Sequence, residues 1–539
     1  MQRPSLQQIT IGEQIRRTAA LYPEREALVC GAERMTYRTL DEATDALAAG
    51  LLAWGMKRGD VLGIWCETES ATVLMMYAAA KVGVIAAMIN TSLQAEEVRD
   101  ILVRSDVRFL AIGRGYKDVS YAEICDALPK LSLLEKVFTM GDFTHPGMDD
   151  MRTLLDAGAG LDRDTLVRAM AEVRPEDTAT LLYTSGTTSR PKVVADTHYS
   201  RMNMGIQQAF DLRCTQEDIF CVAMPLFHCF CISVNILAAL ASGGCLVLCT
   251  DRHTGTILGT VMREKCTVLH CVPTLFHALI CRPECTRENM RSLRVGYIGG
   301  SLYTPQLFRD VEERIGFRLM SSLGQTEANA GVTTCEFDDP LEVRATTVGH
   351  FLHYLDYKVT DIQTGLPCEK GKPGELCIRG FGVMQGYYRA PESTAKAIDS
   401  EGFLHTGDLG YLDENDYVHL TGRLKDLIIR GGENISPVEI ENAASRHEAV
   451  RECRAIGVPD THYGEEVCLC VQRQPGAELA ADELKAFLHG LLADYKVPRY
   501  ICFVEEFPRT NTGKIRTGEL SRLAVAMLLE EKEGAHGKP

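Results

Sequence analysis

The sequence predicts an α/β fold: a large N-terminal domain of α/β layers with a small β-rich subdomain, followed by a small α/β C-terminal domain. Short apolar runs bounded by turn residues alternate with helical patterns, which is typical of sheets covered by helices. Glycine becomes frequent from about residue 370, which favours short strands and tight turns. The 539 residues suffice for about three domains of roughly 100–200 residues each.

Individual elements follow from these patterns. Val61–Cys66 has the apolar run of a buried strand, and Ala71–Val82 has the pattern of a helix that ends at Gly83. Further strands are predicted at Thr180–Thr184, Cys245–Thr250, Thr267–Val272 and Leu293–Ile298. The segment Gly422-Arg423-Leu424-Lys425-Asp426 separates the Gly-rich part from the α/β tail, so the predicted domains are 1–425 and 426–539.

Charge and cysteine content exclude several classes of protein. The net charge is −16, which argues against a general nucleic-acid binder because such proteins need a basic surface. The 20 cysteines are irregularly spaced and contain no paired C-x-x-C motif of a zinc site. We interpret them as reduced, buried thiols of an intracellular protein. The N-terminus contains no apolar run typical of a signal peptide, so a cytoplasmic location is expected.

One uncharged stretch, Phe230 to Thr250, is about as long as a membrane span. It contains Asn235 and the break Ser242-Gly243-Gly244, followed by a short apolar run. A buried helix, a turn and a core strand therefore explain it better than a transmembrane helix.

The most informative segment is Tyr183-Thr-Ser-Gly-Thr-Thr-Ser-Arg-Pro-Lys192. A predicted strand leads into hydroxyl groups, a glycine and a lysine, which together can supply donors and positive charge to a polyphosphate. It is not a Walker P-loop, because Pro191 precedes Lys192 and Val193 follows it. On its own, a Ser/Thr-rich surface turn is the alternative interpretation.

The motifs taken together resemble the adenylate-forming superfamily of acyl-CoA synthetases, luciferases and adenylation domains of peptide synthetases. The resemblance covers nearly the whole chain, with the motifs in the family's order. After the Ser/Thr-rich segment these are Pro225-Leu-Phe-His228, Tyr297-Ile-Gly-Gly-Ser301, Gly324-Gln-Thr-Glu327, Gly374-Glu-Leu, Gly386-Tyr-Tyr, Gly402-Phe-Leu-His-Thr-Gly-Asp408, Gly422-Arg423-Leu-Lys-Asp426, Gly431-Gly-Glu-Asn-Ile-Ser-Pro-Val-Glu439 and Pro508-Arg-Thr-Asn-Thr-Gly-Lys514.

The resemblance implies a two-step reaction with ATP, Mg²⁺ and CoA. A carboxylate attacks the α-phosphate of ATP to give an acyl-adenylate and pyrophosphate, and a thiol then displaces AMP. It implies that Glu327 helps to hold Mg²⁺, that Thr326 contacts the α-phosphate and that Lys514 is the catalytic lysine of the first step. It also implies that Asp408 binds the ribose and that Arg423 reaches the ribose or the phosphates.

Further roles come from the same resemblance. Lys425 is the hinge about which a mobile C-terminal domain would rotate. His228, Gly299, Gly431 and Gly432 belong to the substrate and CoA channel. The expected ATP-binding residues are Thr184, Ser185, Gly186, Thr187, Thr188, Lys192, Gly300, Ser301, Leu323, Gly324, Asp408 and Arg423.

Some positions depart from the family pattern. Ser189 and Val193 stand where glycines are usual, Leu323 stands where an aromatic residue usually stacks on adenine, and Cys231 replaces a frequent glycine. These departures leave open a catalytically weak, nucleotide-binding relative. An enzyme that loads a separate carrier protein is also left open.

The expected acyl pocket contains small or apolar residues without an obvious cation, which favours an uncharged fatty or aromatic acid. Its segments are Pro225–Cys231, Gly299–Leu302 and Ala328–Val332. The expected partners are therefore a small carboxylic acid, ATP and CoA. Neither nucleic acid nor a transmembrane segment is expected, and the sequence leaves the oligomeric state undetermined.

Overall fold

The computed structural model describes residues 2–117, 119–184, 191–301, 303–431, 433–509 and 515–536. Its contacts divide the chain into two compact units. Unit 1 comprises Met1–Leu302, Gln306–Asp356 and Ile378–Leu404, and unit 2 comprises Tyr303–Pro305, Tyr357–Cys377 and His405–Pro539. The predicted boundary after Lys425 falls inside unit 2, in the 3₁₀ turn Leu424–Asp426, and remains a prediction.

The first large sheet of unit 1 has seven strands and is parallel except at one edge, where the last two strands are antiparallel. In sheet order the strands are Arg318–Ser321, Val295–Ile298, Val268–Leu269, Ile219–Val222, Cys245–Leu248, Glu26–Cys30 and Glu33–Thr36. Ligands of α/β sheets bind beyond the carboxyl ends of parallel strands. A ligand-binding site is therefore expected in the segments that follow these strands.

The second large sheet has eight strands, with antiparallel pairing at the end that carries the phosphate segment. In sheet order the strands are Gly386–Tyr387, Lys192–Thr197, Thr178–Thr184, Ile85–Met88, Val61–Trp65, Val107–Ile112, Lys136–Thr139 and Asp149–Asp150. The two-stranded sheets pair Gly115–Tyr116 with Val119–Ser120, Gly324–Gln325 with Ala330–Gly331, and Thr333–Thr334 with His350–Phe351.

Helices pack on these sheets, as the α/β prediction requires. The α-helices are Ile11–Leu21, Tyr37–Ala53, Ser70–Lys81, Ala95–Arg104, Tyr121–Ala127, Met151–Ala159, Arg163–Glu172, His198–Asp211, Cys229–Cys231, Ala238–Ser242, Thr254–Glu264, Pro273–Ile280, Pro305–Ile315, Leu341–Thr346 and Pro391–Ala397. A π-helix spans Ile232–Leu237 and a 3₁₀ turn spans Thr326–Ala328. The predicted helix at 71–82 is Ser70–Lys81, and it is buried from Ala71 to Lys81 because it is apolar on nearly every side.

The uncharged stretch from Phe230 to Thr250 is part of the core. It forms the helical run that ends at Ser242, a left-handed Gly243 with φ of 77°, and the buried strand Cys245–Leu248. The helix, turn and strand predicted there are confirmed. In the part of the chain that the structure describes, no helix combines the length and the apolar composition needed to cross a bilayer.

The β-rich part begins earlier in the chain than the glycine content suggested. Its four strands, in sheet order, are Leu355–Thr360, Gly374–Gly380, Leu404–Leu412 and Val418–Arg423. The first strand was not predicted because it has neither a regular alternation of buried and exposed positions nor the Gly-rich signal that marks the others.

The chain after Asp426 is a compact α/β tail, as predicted. Its sheet contains Glu433–Ile435, Ile428–Arg430, Gly464–Arg473 and Val450–Asp460 in that order, with Tyr500–Phe503 beside Gly464–Arg473. Its α-helices are Pro437–Ala444, Ala481–His489 and Thr517–His536, and a 3₁₀ turn spans Asp494–Lys496. None of the twenty cysteines, all within the described ranges, forms a disulfide.

Candidate active site

The predicted phosphate segment connects two antiparallel strands of unit 1. Thr184 at the end of one strand lies opposite Lys192 at the start of the next in the Cα register. The Thr184 hydroxyl is buried and has no hydrogen-bond partner among the described residues. Ser185, Gly186, Thr187 and Thr188, which the sequence also predicts to bind ATP, lie outside the described residues. The described ends of the segment therefore place a buried hydroxyl-bearing residue and a lysine opposite each other in the strand register.

Lys192, Tyr387 and Glu327 form a short polar chain. The Lys192 ammonium is 3.4 Å from the Tyr387 hydroxyl and 4.5 Å from the centroid of its ring. The Tyr387 hydroxyl donates a hydrogen bond of 3.0 Å to Glu327 Oε1. A cation and a carboxylate, 195 and 60 residues from this tyrosine in sequence, thus meet at one phenol.

Tyr387 is a candidate site residue that the sequence did not single out. Its strand, Gly386–Tyr387, pairs with Lys192–Thr197, which brings the ring beside Lys192. Burial raises the pKa of the Tyr387 phenol, and the nearby Glu327 carboxylate raises that pKa further. The phenol therefore stays protonated at neutral pH and donates to the carboxylate. The Gly-Tyr-Tyr motif was the available signal, but it carries no indication of which tyrosine faces Glu327.

Thr326 and Glu327 lie on the 3₁₀ turn between the paired strands Gly324–Gln325 and Ala330–Gly331. A Cβ atom at Gly324 would lie 1.6 Å from the Ala330 carbonyl oxygen, so only glycine allows these strands to approach. The Met384 backbone N–H donates to the Glu327 carbonyl at 2.9 Å. The turn that carries Thr326 and Glu327 is thus fixed by backbone contacts.

The predicted gate residue, His228, begins the helix Cys229–Cys231. Its Nδ1 accepts a hydrogen bond of 3.3 Å from the Phe230 backbone N–H. Cys229 connects this helix to the turn Thr326–Ala328, because Thr326 Oγ1 donates a hydrogen bond of 3.6 Å to Cys229 Sγ. Cys231 is fully buried, and burial raises the pKa of its thiol, so it packs as a small apolar group.

The Gly-Gly-Ser segment and Leu323 follow neighbouring parallel strands, Val295–Ile298 and Arg318–Ser321. Gly300 has a φ of 85°, in the left-handed region, and the ideal Cβ position of Gly299 lies 4.0 Å from the Phe230 ring and 3.2 Å from the Ser322 carbonyl. Leu323 is 8% exposed and its N–H donates to Thr333 Oγ1 at 2.9 Å. Gly299, Gly300 and Leu323 therefore lie at the carboxyl edge of the seven-stranded sheet, and Ser301 directly follows Gly300.

Asp408 and Arg423 form an ion pair in unit 2. They lie opposite each other on the antiparallel strands Leu404–Leu412 and Val418–Arg423, and Arg423 Nε is 2.7 Å from Asp408 Oδ1. The Asp408 side chain is 5% exposed and that of Arg423 is 41% exposed. The Asp408 backbone N–H also donates to Thr406 Oγ1 at 3.1 Å. A buried carboxylate with a solvent-accessible guanidinium can bind a polar ligand from the solvent side.

The other predicted residues of unit 2 lie on its turns. Lys425 is exposed in the 3₁₀ turn after Arg423. Gly431 has a φ of 59° and its N–H donates to the Tyr463 carbonyl at 2.9 Å. Gly432 and Lys514 lie outside the described residues, so their predicted roles remain predictions.

Comparison with known proteins identifies the family. Residues 15–388 match the AMP-binding enzyme family and residues 439–514 match the AMP-binding enzyme C-terminal domain. The chain belongs to the AMP-binding enzyme family. This AMP-binding enzyme is 35% identical over 538 residues to a Bacillus subtilis (strain 168) protein with the provisional name acyl-CoA synthetase YngI, covering 96% of this chain and 97% of that protein.

Two further relatives extend the comparison. The medium-chain acyl-CoA ligase ACSF2, mitochondrial, of Rattus norvegicus is 32% identical, with 95% of this chain and 87% of that protein covered. The crystal structure of ATP-bound MatB from Rhodopseudomonas palustris superimposes with a TM-score of 0.85 at 27% identity, covering 96% of this chain and 99% of MatB. The predicted family and the predicted arrangement of a large and a small α/β domain are confirmed.

The reaction class predicted from the sequence is confirmed as well. This AMP-binding enzyme is an ATP-dependent, AMP-forming acid–CoA ligase that acts through an acyl-adenylate. Its substrates are a carboxylic acid, ATP and CoA.

Proposed function

We propose that this ligase activates an uncharged fatty or aromatic acid, and that Lys192, Glu327 and Lys514 carry the adenylation step. The observation that supports the proposal is the chain from the Lys192 ammonium through the Tyr387 phenol to the Glu327 carboxylate. Such an arrangement provides positive charge for triphosphate oxygens on one side and an anionic oxygen ligand for a hard cation on the other.

The chemistry proceeds in two balanced steps. A carboxylate oxygen of the acid bonds to the α-phosphorus of ATP, and the bond from that phosphorus to the oxygen of the β-phosphate breaks and releases pyrophosphate. The CoA sulfur, after losing its proton to solvent, bonds to the acyl carbon, and AMP leaves with the electrons of the broken C–O bond. Positioning and charge stabilisation dominate the first step because the reacting groups are all anionic.

Within unit 1, the residues divide the work of binding ATP. Lys192 places positive charge at the end of the phosphate segment, and the buried Thr184 hydroxyl is available as a donor to a phosphate oxygen. Glu327 suits a magnesium ion, since its carboxylate is a hard oxygen ligand fixed by a neighbouring phenol. A bound Mg²⁺ would neutralise charge on the triphosphate.

The acyl side of the site supports an uncharged substrate. The segments 225–231, 299–302 and 328–332 contain no Lys, Arg, Asp or Glu, so they offer no partner for a second charge on the acid. Phe230 and Cys231 are buried there among apolar neighbours. The relative ACSF2 is named as a medium-chain acyl-CoA ligase, which is consistent with an acid of that kind.

The remaining roles are proposed for residues of unit 2. Asp408 binds the ribose hydroxyls and Arg423 contacts the ribose or the phosphates. Lys425 acts as the hinge of a mobile C-terminal domain, and Gly431 and Gly432 leave room for the pantetheine arm of CoA. A cytoplasmic location belongs to the proposal, although the relative ACSF2 is named as mitochondrial.

The test is release of AMP and pyrophosphate with a panel of saturated, aromatic and dicarboxylic acids, with CoA, with a phosphopantetheinylated carrier protein, or with neither. We expect uncharged acids to give CoA thioesters and dicarboxylic acids to react poorly. Preference for a dicarboxylic acid would contradict the proposed substrate class. Thioester on the carrier protein alone would identify a carrier-loading enzyme, and ATP binding without pyrophosphate exchange for any acid would identify an inactive relative.

The role of Lys514 is tested by separating the two steps. In Lys514→Ala, pyrophosphate exchange should fall by at least about a hundredfold, whereas transfer of a preformed acyl-adenylate to CoA should continue. Lys485→Ala, on the helix Ala481–His489, is the matched control and should leave both steps unchanged. Equal loss of both steps in Lys514→Ala would refute the assignment.

A further inference from the structure

A cluster of buried polar side chains lies beneath the turn that carries Glu327. This buried polar cluster consists of Thr180, Asp196, Arg201, Ser233 and Asn329, and the side chains of Asp196 and Arg201 are both 0% exposed. Arg201 donates to Asp196 Oδ2 at 2.5 Å, to Thr180 Oγ1 at 3.0 Å and to Ser233 Oγ at 3.3 Å. The two opposite charges thus neutralise each other within the core.

Asn329 connects the cluster to the turn. It ends the turn Thr326–Ala328 in a left-handed conformation with φ of 56°, which asparagine tolerates better than most residues. Its side-chain amide donates to Asp196 Oδ1 at 3.0 Å and to the Gly382 carbonyl at 3.1 Å. Two residues beyond Gly382, the Met384 backbone N–H donates a hydrogen bond to the Glu327 carbonyl.

Burying the charges of this cluster in the core costs free energy. Two charges removed from water cost several kcal/mol each unless their hydrogen bonds are well formed, and apolar residues of similar volume often stabilise a core equally well. Burial accordingly raises the pKa of Asp196 to about 6, with Arg201 and Asn329 opposing the shift and the Glu327 carboxylate adding to it. Stability alone therefore does not explain why these charges lie here, next to the turn.

We infer that the buried polar cluster is a positioning device for Glu327: Asp196, held by Arg201, fixes Asn329 and thereby the orientation of the Glu327 carboxylate towards Tyr387 and the metal–triphosphate. The inference rests on the proposed metal-binding role of Glu327. These are positioning residues, because they act on the reaction through Asn329 and the turn and do not contact the substrates.

The test uses the whole enzyme and measures pyrophosphate exchange as a function of Mg²⁺ concentration. Asn329→Gly keeps the left-handed backbone available but removes the amide, so the fold should persist. The double variant Asp196→Leu/Arg201→Met replaces the ion pair by apolar groups without leaving an unpaired charge. Both should raise the half-saturating Mg²⁺ concentration about tenfold and lower the maximal rate, with a melting temperature near that of the unchanged enzyme.

Two further variants make the outcome decisive. Lys81→Met removes another buried cation of unit 1, which pairs with Asp41 and Asp45, and should lower stability without changing the Mg²⁺ dependence. Glu327→Gln tests the role on which the inference rests. If Glu327→Gln raises the Mg²⁺ requirement but Asn329→Gly leaves it unchanged, the positioning role is refuted. If Glu327→Gln itself leaves the requirement unchanged, the proposed metal-binding role fails instead.

Discussion

Two of the aspartate–arginine pairs of this enzyme, Asp196–Arg201 and Asp408–Arg423, have the same chemistry in opposite surroundings. In unit 1, Asp196 and Arg201 are both 0% exposed and their hydrogen-bonding groups are directed at protein partners. In unit 2, Asp408 is 5% exposed, but its partner Arg423 is 41% exposed. The first pair is joined across a strand and a helix, whereas the second lies directly across two antiparallel strands.

This difference indicates what each pair can do. A guanidinium enclosed by the protein can only organise its neighbours, whereas one that reaches solvent can exchange part of its contact for a ligand. We therefore expect substitutions at Arg201 to affect stability first, and substitutions at Arg423 to affect ATP binding first. Both arginines can be replaced by glutamine, which gives a matched comparison.

The largest effect is expected for Arg201→Gln. Removing one partner of a buried pair leaves Asp196 as an uncompensated charge, so the free energy of unfolding should fall by about 3–5 kcal/mol. Denaturant unfolding at pH 7 measures it. A loss below about 1 kcal/mol would mean that the core adapts to the unpaired carboxylate.

The pH dependence of stability should report the same carboxylate. Burial raises the pKa of Asp196 to about 6, so the folded protein takes up this proton more readily than the unfolded chain. Its contribution to stability is present below pH of about 4 and is lost as the pH rises through 6. The stability of the wild-type enzyme relative to Asp196→Asn should therefore fall by about 2 kcal/mol between pH 4 and pH 7. Denaturant titrations at both pH values would show a constant difference if the carboxyl group titrates alike in both states.

Arg423→Gln should change ATP binding more than stability, which is the reverse of the expectation for Arg201→Gln. An amide can still donate to Asp408, and solvent reaches the Arg423 side of this pair, so the loss of stability should be smaller than in Arg201→Gln. The KM for ATP should rise about tenfold, because the guanidinium is lost as a ligand contact. Initial-rate kinetics with ATP varied provide the measurement. An unchanged KM, or a stability loss as large as that of Arg201→Gln, would remove the distinction between the pairs.

The smallest effect is expected for Tyr387→Phe. It removes the hydroxyl between Lys192 and Glu327 but keeps the ring, at a cost of about 1 kcal/mol in transition-state stabilisation, or roughly a fivefold loss of kcat/KM. Tyr388→Phe, at the neighbouring hydroxyl that donates to Asp106, is the matched control and should leave kcat/KM unchanged. Equal effects of the two variants would show that the Tyr387 hydroxyl has no special role.

Much of the fold could be predicted from the sequence because local patterns determine it. The strand at Val61, the helix that stops at Gly83 and the helix, turn and strand after Phe230 all follow from apolar runs and glycine breaks. The π-helix Ile232–Leu237 was not predicted, because an apolar sequence does not distinguish the hydrogen-bond spacing of a π-helix from that of an α-helix. The strand predicted at Thr267–Val272 is a regular strand only over Val268–Leu269, with one further isolated bridge between Cys271 and Ile298, because pairing length depends on the neighbouring strands.

The site could be predicted only where motifs mark it. Lys192, Thr326 and Glu327 stand in recognisable segments, but the contact of Glu327 with Tyr387 joins residues 60 positions apart. The buried polar cluster was missed for the same reason, since Asn329 and Asp196 are 133 positions apart. Its signal was present as two charged residues, Asp196 and Arg201, within an otherwise weakly charged stretch. Nothing local shows that these two charges lie in the core.

The most direct test of the account follows the oxygen atoms of the acid. The enzyme would be supplied with an acid labelled with ¹⁸O at both carboxylate oxygens, together with ATP and CoA, and the AMP analysed by mass spectrometry. The account predicts one ¹⁸O atom in each AMP, since a carboxylate oxygen bonds to the α-phosphorus and remains there when the thiol displaces AMP. Unlabelled AMP, with the label in pyrophosphate or phosphate, would contradict it.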